Sequence, residues 1–120
     1  MSTPAKKSQY LFLLRQPPGS PPPAAELQKI MVQFEAWMDG LKAKYEVVSK
    51  NGLAPATGKV LRNPNGLSDT DGPYVEANEV IGGYVLLAAP SFEDATAAAR
   101  GCPGLAYGMS IEVRPIIVCD

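Results

Sequence analysis

The chain contains no histidine and only two cysteines, and these absences narrow the chemistry that it can carry. Histidine is the commonest general base near neutral pH and a frequent zinc ligand, so a histidine-based catalytic pair and a histidine-containing zinc site are both excluded. Cys102 and Cys119 are too few for a disulfide scaffold and do not stand at zinc-ligand spacing. We therefore expect a protein that needs no metal and no cofactor.

The chain also lacks an excess of positive charge and any long apolar run. Its formal net charge is −1, which argues against nucleic acid and anionic lipid as partners, because both require a basic surface. No run approaches the roughly 18 apolar residues that read as a membrane span. Near the amino terminus only Tyr10 to Leu14 is apolar, which is too short for a signal peptide. We expect a cytoplasmic protein whose residues 1–8 form a flexible tail.

The composition of the chain predicts one globular domain over residues 1–120. The chain is 46% apolar and 19% charged, so it differs clearly from a disordered segment. A proline-rich segment, residues 17–23, separates an apolar strand from the first helix. We interpret this segment as a stiff connector, since it lies between two core elements.

The first helix gives the clearest periodic signal. Apolar residues repeat at three- and four-residue steps from Leu27 to Tyr45, and Asn51-Gly52 is expected to stop the helix. Such a stripe is typical of a core-facing helix. Trp37 is the one member of the stripe that we retain as a candidate cavity wall.

The remaining elements predict an α+β fold. Strands are expected at residues 10–15, at 59–62, from about 74 to 89 with a break near Asn78, and at 110–117. Ser91-Phe92-Glu93-Asp94 has the pattern of a capping box that opens a second helix. Because Pro115 cannot donate to a ladder, the last strand should lie at a sheet edge or end near that residue. The βαββαβ order is that of a ferredoxin-like unit, an antiparallel sheet with both helices on one face.

The strand pattern also predicts an assembly. Two helices cover one face of a sheet, so the other face should be polar if it meets water. The first and third strands are instead apolar on both faces. On the third strand the two sets are Ile81, Val85, Leu87 and Ala89 against Val80, Tyr84, Leu86 and Ala88. The simplest cover for the second face is another copy of the sheet, which gives a homodimeric α+β barrel.

Asp71-Gly72-Pro73 is the first candidate for a functional segment. It has the composition of a turn, in which the Asp side chain bonds nearby backbone N–H groups. The alternative is that Asp71 is a proton-transfer or ligand-binding carboxylate. Glu76 and Glu79 are three residues apart in an extended segment, so they need not share a face, and one of them is a candidate to line a cleft.

Gly82-Gly83 and three charged residues supply the other candidates. Two glycines weaken an apolar strand unless they form a bulge, allow close helix packing, or let a ligand lie against bare backbone. Arg62 and Arg114 lie on apolar strands and would favour an anionic ligand if they faced a cavity. Glu112 falls on the same side of its strand as Arg114, so the alternative is a salt bridge between them.

The segment from Asp71 to Leu87 resembles the signature of the DGPF subgroup of the YCII-related proteins, with Tyr74 where that subgroup carries Phe. Further matches to the subgroup are Gly52-Leu53-Ala54-Pro55, Cys102-Pro103-Gly104 and Val113-Arg114-Pro115. The resemblance implies a dimeric α+β barrel. It also implies a His–Asp acid–base dyad, of which this chain can supply only Asp71.

Three functional hypotheses follow. The first is a small-molecule site in a dimer cleft, either for binding or for cofactor-independent catalysis. The second is a regulatory module, since the resemblance implies association with extracytoplasmic-function sigma factors. The third is a dimeric scaffold without a ligand. For the first, the candidate catalytic residue is Asp71, and the candidate ligand-binding residues are Asp71, Tyr74, Glu76, Gly82, Gly83, Trp37, Arg62 and Arg114.

Overall fold

Six strands, two α-helices and a short 3-10 helix follow one another along the described part of the chain. The computed structural model describes residues 8–17, 22–63, 65–66, 68–75 and 79–119. Of the tail expected at residues 1–8, only Ser8 is described, and it begins β1. The strands are β1 (Ser8–Gln16), β2 (Glu46–Gly52), β3 (Gly58–Arg62), β4 (Ser68–Gly72), β5 (Val80–Ala89) and β6 (Ser110–Pro115). The helices are α1 (Ala24–Lys44), α2 (Phe92–Arg100) and the 3-10 helix Pro103–Tyr107.

Four of the strands form one antiparallel sheet in the order β2-β5-β1-β6, and β3 pairs with β4 in a separate hairpin. The prediction of an α+β fold with an antiparallel sheet is therefore confirmed. β6 lies at an edge of the sheet and ends at Pro115, as the missing N–H of proline requires. No described helix is both long and apolar enough to span a membrane.

The strand predicted at residues 59–62 is present as β3, but it belongs to the hairpin, and the second strand of the sheet is β2. Helix α1 ends because Tyr45 adopts an extended conformation, with φ −133° and ψ −174°. The β-branched Val47 favours a strand over a further helical turn, and it pairs with Leu87 of β5. Asn51-Gly52, expected to stop the helix, ends β2 instead.

β5 begins at Val80, later than the sequence predicted. Tyr74 and Val75, expected to start this strand, have no regular secondary structure. The expected break near Asn78 lies outside the described residues. The hairpin of β3 and β4 thus occupies a stretch in which the sequence analysis found one strand and a turn.

A β-bulge interrupts the pairing of β5 with β1. Leu14 pairs with Gly83, but Arg15 pairs with Ile81, so Gly82 is an extra residue on β5. Paired residues share a face of the sheet, and the extra residue therefore shifts the alternation of β5. Ile81 therefore lies on the same face as Arg15. The prediction that it shares a face with Val85 and Leu87 was wrong.

Both helices pack on one face of the sheet, which we call the inner face; the other is the outer face. The ring of Phe12 is fully buried at the centre of the inner face. Ser91 begins α2 by accepting a hydrogen bond from the backbone N–H of Asp94 at 3.1 Å, which confirms the predicted cap. The buried cluster comprises Tyr10, Phe12, Leu14, Met38, Leu41, Val85, Leu87, Ala89, Ala95, Ala99 and Cys102.

Candidate functional site

A cleft of about 970 Å³ opens on the inner side of the sheet, between α1 and the adjoining ends of β2 and β5. We call it the α1 cleft. Its helical wall is mainly apolar and includes Leu27, Met31, Val32 and Met38. Four charged residues also line it, namely Glu35, Asp39, Lys42 and Lys50. The cleft therefore combines an apolar wall with charges of both signs.

The two glycines of the bulge are among the residues that line this cleft. A Cβ atom on Gly82 would lie 2.7 Å from Nε2 of Gln16, and one on Gly83 would lie 3.1 Å from the carbonyl oxygen of Asn51. Both distances are shorter than ordinary contacts of a Cβ atom. The sequence-based interpretation of Gly82-Gly83 as a bulge is confirmed, and the same residues border an open space.

Trp37 lies where the core meets the α1 cleft. Its Nε1 donates a hydrogen bond to the carbonyl oxygen of Ala98 on α2, at 3.0 Å. Its ring stacks on Phe12, with ring centroids 6.3 Å apart. Trp37 is thus a core residue that fixes α1 to α2, and it is also one of the residues that line the cleft.

The helical wall of the cleft is poorly covered compared with the rest of α1. Met31 and Val32 are 62% and 60% exposed, whereas Met38 and Leu41, further along the same helix, are 7% and 5% exposed. Exposed apolar side chains of this size around a concave space favour an apolar occupant. The structure therefore brings together three sequence-based candidates: Trp37, Gly82 and Gly83.

Asp71 lies elsewhere, on the hairpin. It belongs to β4 and pairs with Lys59 of β3, so the interpretation of Asp71 as a turn residue was wrong. Its carboxylate accepts a hydrogen bond from Nζ of Lys59 at 2.8 Å, and the Asp71 side chain is 89% exposed. Asp71 is not among the residues that line the α1 cleft. Glu76 lies outside the described residues.

Tyr74 and Arg62 also belong to the hairpin region. The guanidinium carbon of Arg62 lies 5.7 Å from the centroid of the Tyr74 ring, which is a cation–π distance. Both side chains are exposed, and neither lines the α1 cleft. The structure thus separates the hairpin candidates from the glycine bulge.

Arg114 lies on the outer face, in an ion-pair network. Glu112 contacts Arg114 at 3.4 Å, as the sequence analysis proposed, and contacts Arg15 more closely at 2.7 Å. The hydrogen bond from Arg15 is the main reason that the pKa of Glu112 lies below its usual value. Sequence reasoning missed Arg15, although strand alternation puts it on the face of Leu11 and Leu13.

A second polar cluster on the outer face was also missed. The hydroxyl oxygens of Tyr84 and Ser49 are 2.9 Å apart, and Nδ2 of Asn51 donates a hydrogen bond to the Tyr84 oxygen at 3.3 Å. The hydrogen bond with Ser49, and then that from Asn51, lowers the pKa of Tyr84 below its ordinary value. The cluster escaped prediction because Ser49 and Asn51 were assigned to the end of α1 instead of β2.

Comparison with protein families gives a match over most of the chain. The model of the YCII-related domain matches residues 8–119, which is nearly the whole chain. The match begins at the first residue of β1 and extends past the end of β6. A comparison with curated proteins finds no match.

Proposed function

This chain belongs to the YCII-related domain family, and we propose that it binds a small, largely apolar molecule in the α1 cleft without a metal ion. The observation that carries this proposal is an open cleft lined on the helix by the exposed side chains of Met31 and Val32 and on β5 by Gly82 and Gly83, which have no side chains to fill it. A strand interior usually disfavours two glycines, so the close approach of another group is one reason to have them there.

The size of the cleft supports a small molecule as its occupant. Its volume of about 970 Å³ lies near the upper end of the range for small-molecule sites, about 300–1,000 Å³. The exposed side chains of Met31 and Val32 would be removed from water by such a ligand. Each buried side chain of this size contributes roughly 1.5–3 kcal/mol when it is fully covered.

The polar groups of the cleft suggest that the ligand is not purely apolar. The Gln16 side chain lies against Gly82, and its amide can both donate and accept a hydrogen bond. Lys42 and Lys50 border the same space, together with Glu35 and Asp39. We infer that the ligand has an apolar body and one polar or charged end.

A dye with this chemistry provides the test. We expect 8-anilinonaphthalene-1-sulfonate to bind one per chain, and Gly82→Leu to weaken it at least tenfold, which is about 1.4 kcal/mol. The control is Gly40→Leu, because a Cβ atom on Gly40 meets nothing within 4 Å and Gly40 does not line the α1 cleft. Equal affinity of folded Gly82→Leu and wild type would contradict the proposal.

We further propose that two copies of this chain assemble through their outer faces into a dimeric α+β barrel of ferredoxin-like units. The order β2-β5-β1-β6 supports the ferredoxin-like assignment. Leu11, Leu13 and Leu86 lie on the outer face, opposite the side that the helices cover. Exposed Ile117 and Val118 follow β6 and offer further apolar surface. We also assign the chain to the DGPF subgroup.

Sedimentation equilibrium at micromolar concentration tests this assembly. We expect twice the mass of one chain for the wild type and a monomer for Leu13→Glu, which places a charge on the outer face. The control is Leu61→Glu, because Leu61 is equally apolar but lies on the hairpin. A folded wild-type monomer would show that the outer face is not the interface.

A further inference from the structure

On the basis of the ligand site proposed above, we propose that the ligand of the α1 cleft is a carboxylate with an apolar body, and that Lys50 pairs with its anionic end. The cleft is lined by two lysines and two acidic residues. Their charges cancel, so composition alone does not choose between an anionic and a cationic ligand. The places of these residues in the fold favour the anion.

Lys50 is a cation on the inner face of the sheet, which the helices cover. It pairs with Val85 of β5, and Val85 is 1% exposed and belongs to the buried cluster. Paired residues share a face, so Lys50 stands in a row of core residues. Phe12 of β1, which is fully buried, lies in the same row on the other side of Val85. The row thus passes from a buried aromatic ring to a charged residue that lines the α1 cleft.

The sheet offers Lys50 no carboxylate partner. Its neighbours on the inner face of β2 and β5 are Val47, Gly52 and Val85, and none of them is charged. Within the ranges that the structure describes, Lys50 forms no ion pair with any residue. A ligand carboxylate would supply the missing countercharge, and a lysine ammonium is a compact charge suited to it.

The other charges of the cleft lie together on α1. Asp39 stands four residues after Glu35 and three before Lys42, and residues at these spacings are neighbours on the surface of a helix. Lys42 therefore has a carboxylate neighbour on its own helix, and it offsets one of the two acidic residues there. Lys50 has no such neighbour on its strand. Of the two lysines, Lys50 is thus the one whose charge a ligand would balance.

Lys50 also lies beside the paired glycines that line the cleft. Gly52 follows it by two residues, about 6.6 Å along β2, and pairs with Gly83 of β5. A Cβ atom on Gly52 would meet only the carbonyl oxygen of Gly82, at 3.8 Å, which is an ordinary contact. The space over Gly52 is therefore open. A flat apolar body between Gly52 and the exposed Met31 side chain would place its anionic end at Lys50.

Two probes with the same ring system test this assignment. The probes are 2-naphthoate, which carries a carboxylate, and 2-naphthylmethanol, which carries a neutral hydroxyl in its place. We expect Lys50→Met to lower the ratio of 2-naphthoate affinity to 2-naphthylmethanol affinity about fivefold, between the effects of an exposed ion pair and of a charged hydrogen bond. Lys50→Arg should keep the ratio within about twofold of wild type, because it retains the charge. Fluorescence titration measures both affinities.

Lys44→Met is the matched control. It removes the same charge from α1, but Lys44 does not line the α1 cleft, and its Nζ lies 5.6 Å from the centroid of the Tyr45 ring. It should leave the ratio unchanged, which would exclude an effect of net charge alone. Lys42→Met should lower the ratio less than Lys50→Met does, because Lys42 is already offset on its helix.

The outcomes distinguish the role of Lys50 from the ligand site on which it depends. An unchanged ratio in Lys50→Met, or an equal loss of both probes, would overturn the role of Lys50; the site itself would stand if Gly82→Leu still weakens 2-naphthylmethanol. Tighter binding of 2-naphthylmethylammonium than of 2-naphthoate to the wild type would assign the charged end to Glu35 and Asp39. Absence of binding by all three probes would contradict both proposals.

Discussion

The two ends of α1 carry the same apolar spacing but have different neighbours. Its carboxy-terminal half places Met38 and Leu41 against the buried face of the sheet. Its amino-terminal half presents Met31 and Val32 to the end of β5 at which Gly82 and Gly83 have no side chains to meet them. Helical periodicity thus identifies the face that turns toward the sheet, whereas the residues of the partner strands decide whether that face becomes a core or a cleft.

The largest change in stability is expected in the buried carboxy-terminal half of α1. Leu41 is only 5% exposed, so Leu41→Ala should lower the free energy of unfolding by about 2–5 kcal/mol through lost burial and an unfilled cavity. Urea unfolding followed by circular dichroism measures this change. A loss below about 1 kcal/mol would mean that the two ends of α1 are equally loosely packed.

A smaller effect of opposite sign is expected at Gly40, an exposed residue in the same carboxy-terminal half of α1. Gly40→Ala should raise the free energy of unfolding by about 0.5–1 kcal/mol, because it removes backbone freedom from the unfolded chain. The added Cβ meets nothing within 4 Å. Gly108→Ala is the control: Gly108 has φ +85°, so the same change should destabilise the protein in the same urea experiment.

A still smaller change in stability is expected in the amino-terminal half of α1, which borders the α1 cleft. Met31→Ala should alter the free energy of unfolding by no more than about 0.5 kcal/mol, as is usual for exposed positions. It should nevertheless weaken 8-anilinonaphthalene-1-sulfonate, because Met31 lines the α1 cleft. A strong destabilisation with unchanged dye affinity would show that Met31 belongs to the packed core and does not contact the ligand.

The smallest effect is expected on the hairpin, outside both ends of α1. Asp71→Asn removes one exposed ion pair with Lys59, and such pairs contribute little to stability. The Tm should therefore stay unchanged, and so should dye affinity, since Asp71 does not line the α1 cleft. A variant with wild-type Tm but without binding would restore Asp71 as a ligand-binding carboxylate.

The sequence predicted the elements that depend on local chemistry. The cap at Ser91, the edge strand at Pro115 and the apolar stripe of α1 all follow from residue types at fixed spacing, and the structure confirms them. The position of the second strand did not follow, because residues 46–52 directly continue the helical segment. A strand there is recognised only from its pairing with β5.

The candidate site was predictable only where a local residue pattern marks it. Gly82-Gly83 is visible in the sequence as an exception within an apolar strand, and Trp37 as the largest member of the helical stripe. The cluster around Tyr84 needs β2 beside β5, and the network around Glu112 needs β1 beside β6. These contacts join residues far apart in the chain, such as Arg15 and Glu112, so no local pattern contains them.

The extra residue Gly82 reverses the alternation of side chains between the two faces of β5. On its carboxy-terminal side the strand alternates in step with Leu14, whereas on the other side Ile81 and Val80 alternate in the opposite sense. If Gly82 were paired as a regular residue of the ladder, Ile81 would point toward the helices and Val80 toward the outer face, whereas deletion of Gly82 would leave both side chains on their present faces. The bulged conformation of one glycine thus decides which of two neighbouring apolar side chains belongs to the interior, without changing either of them.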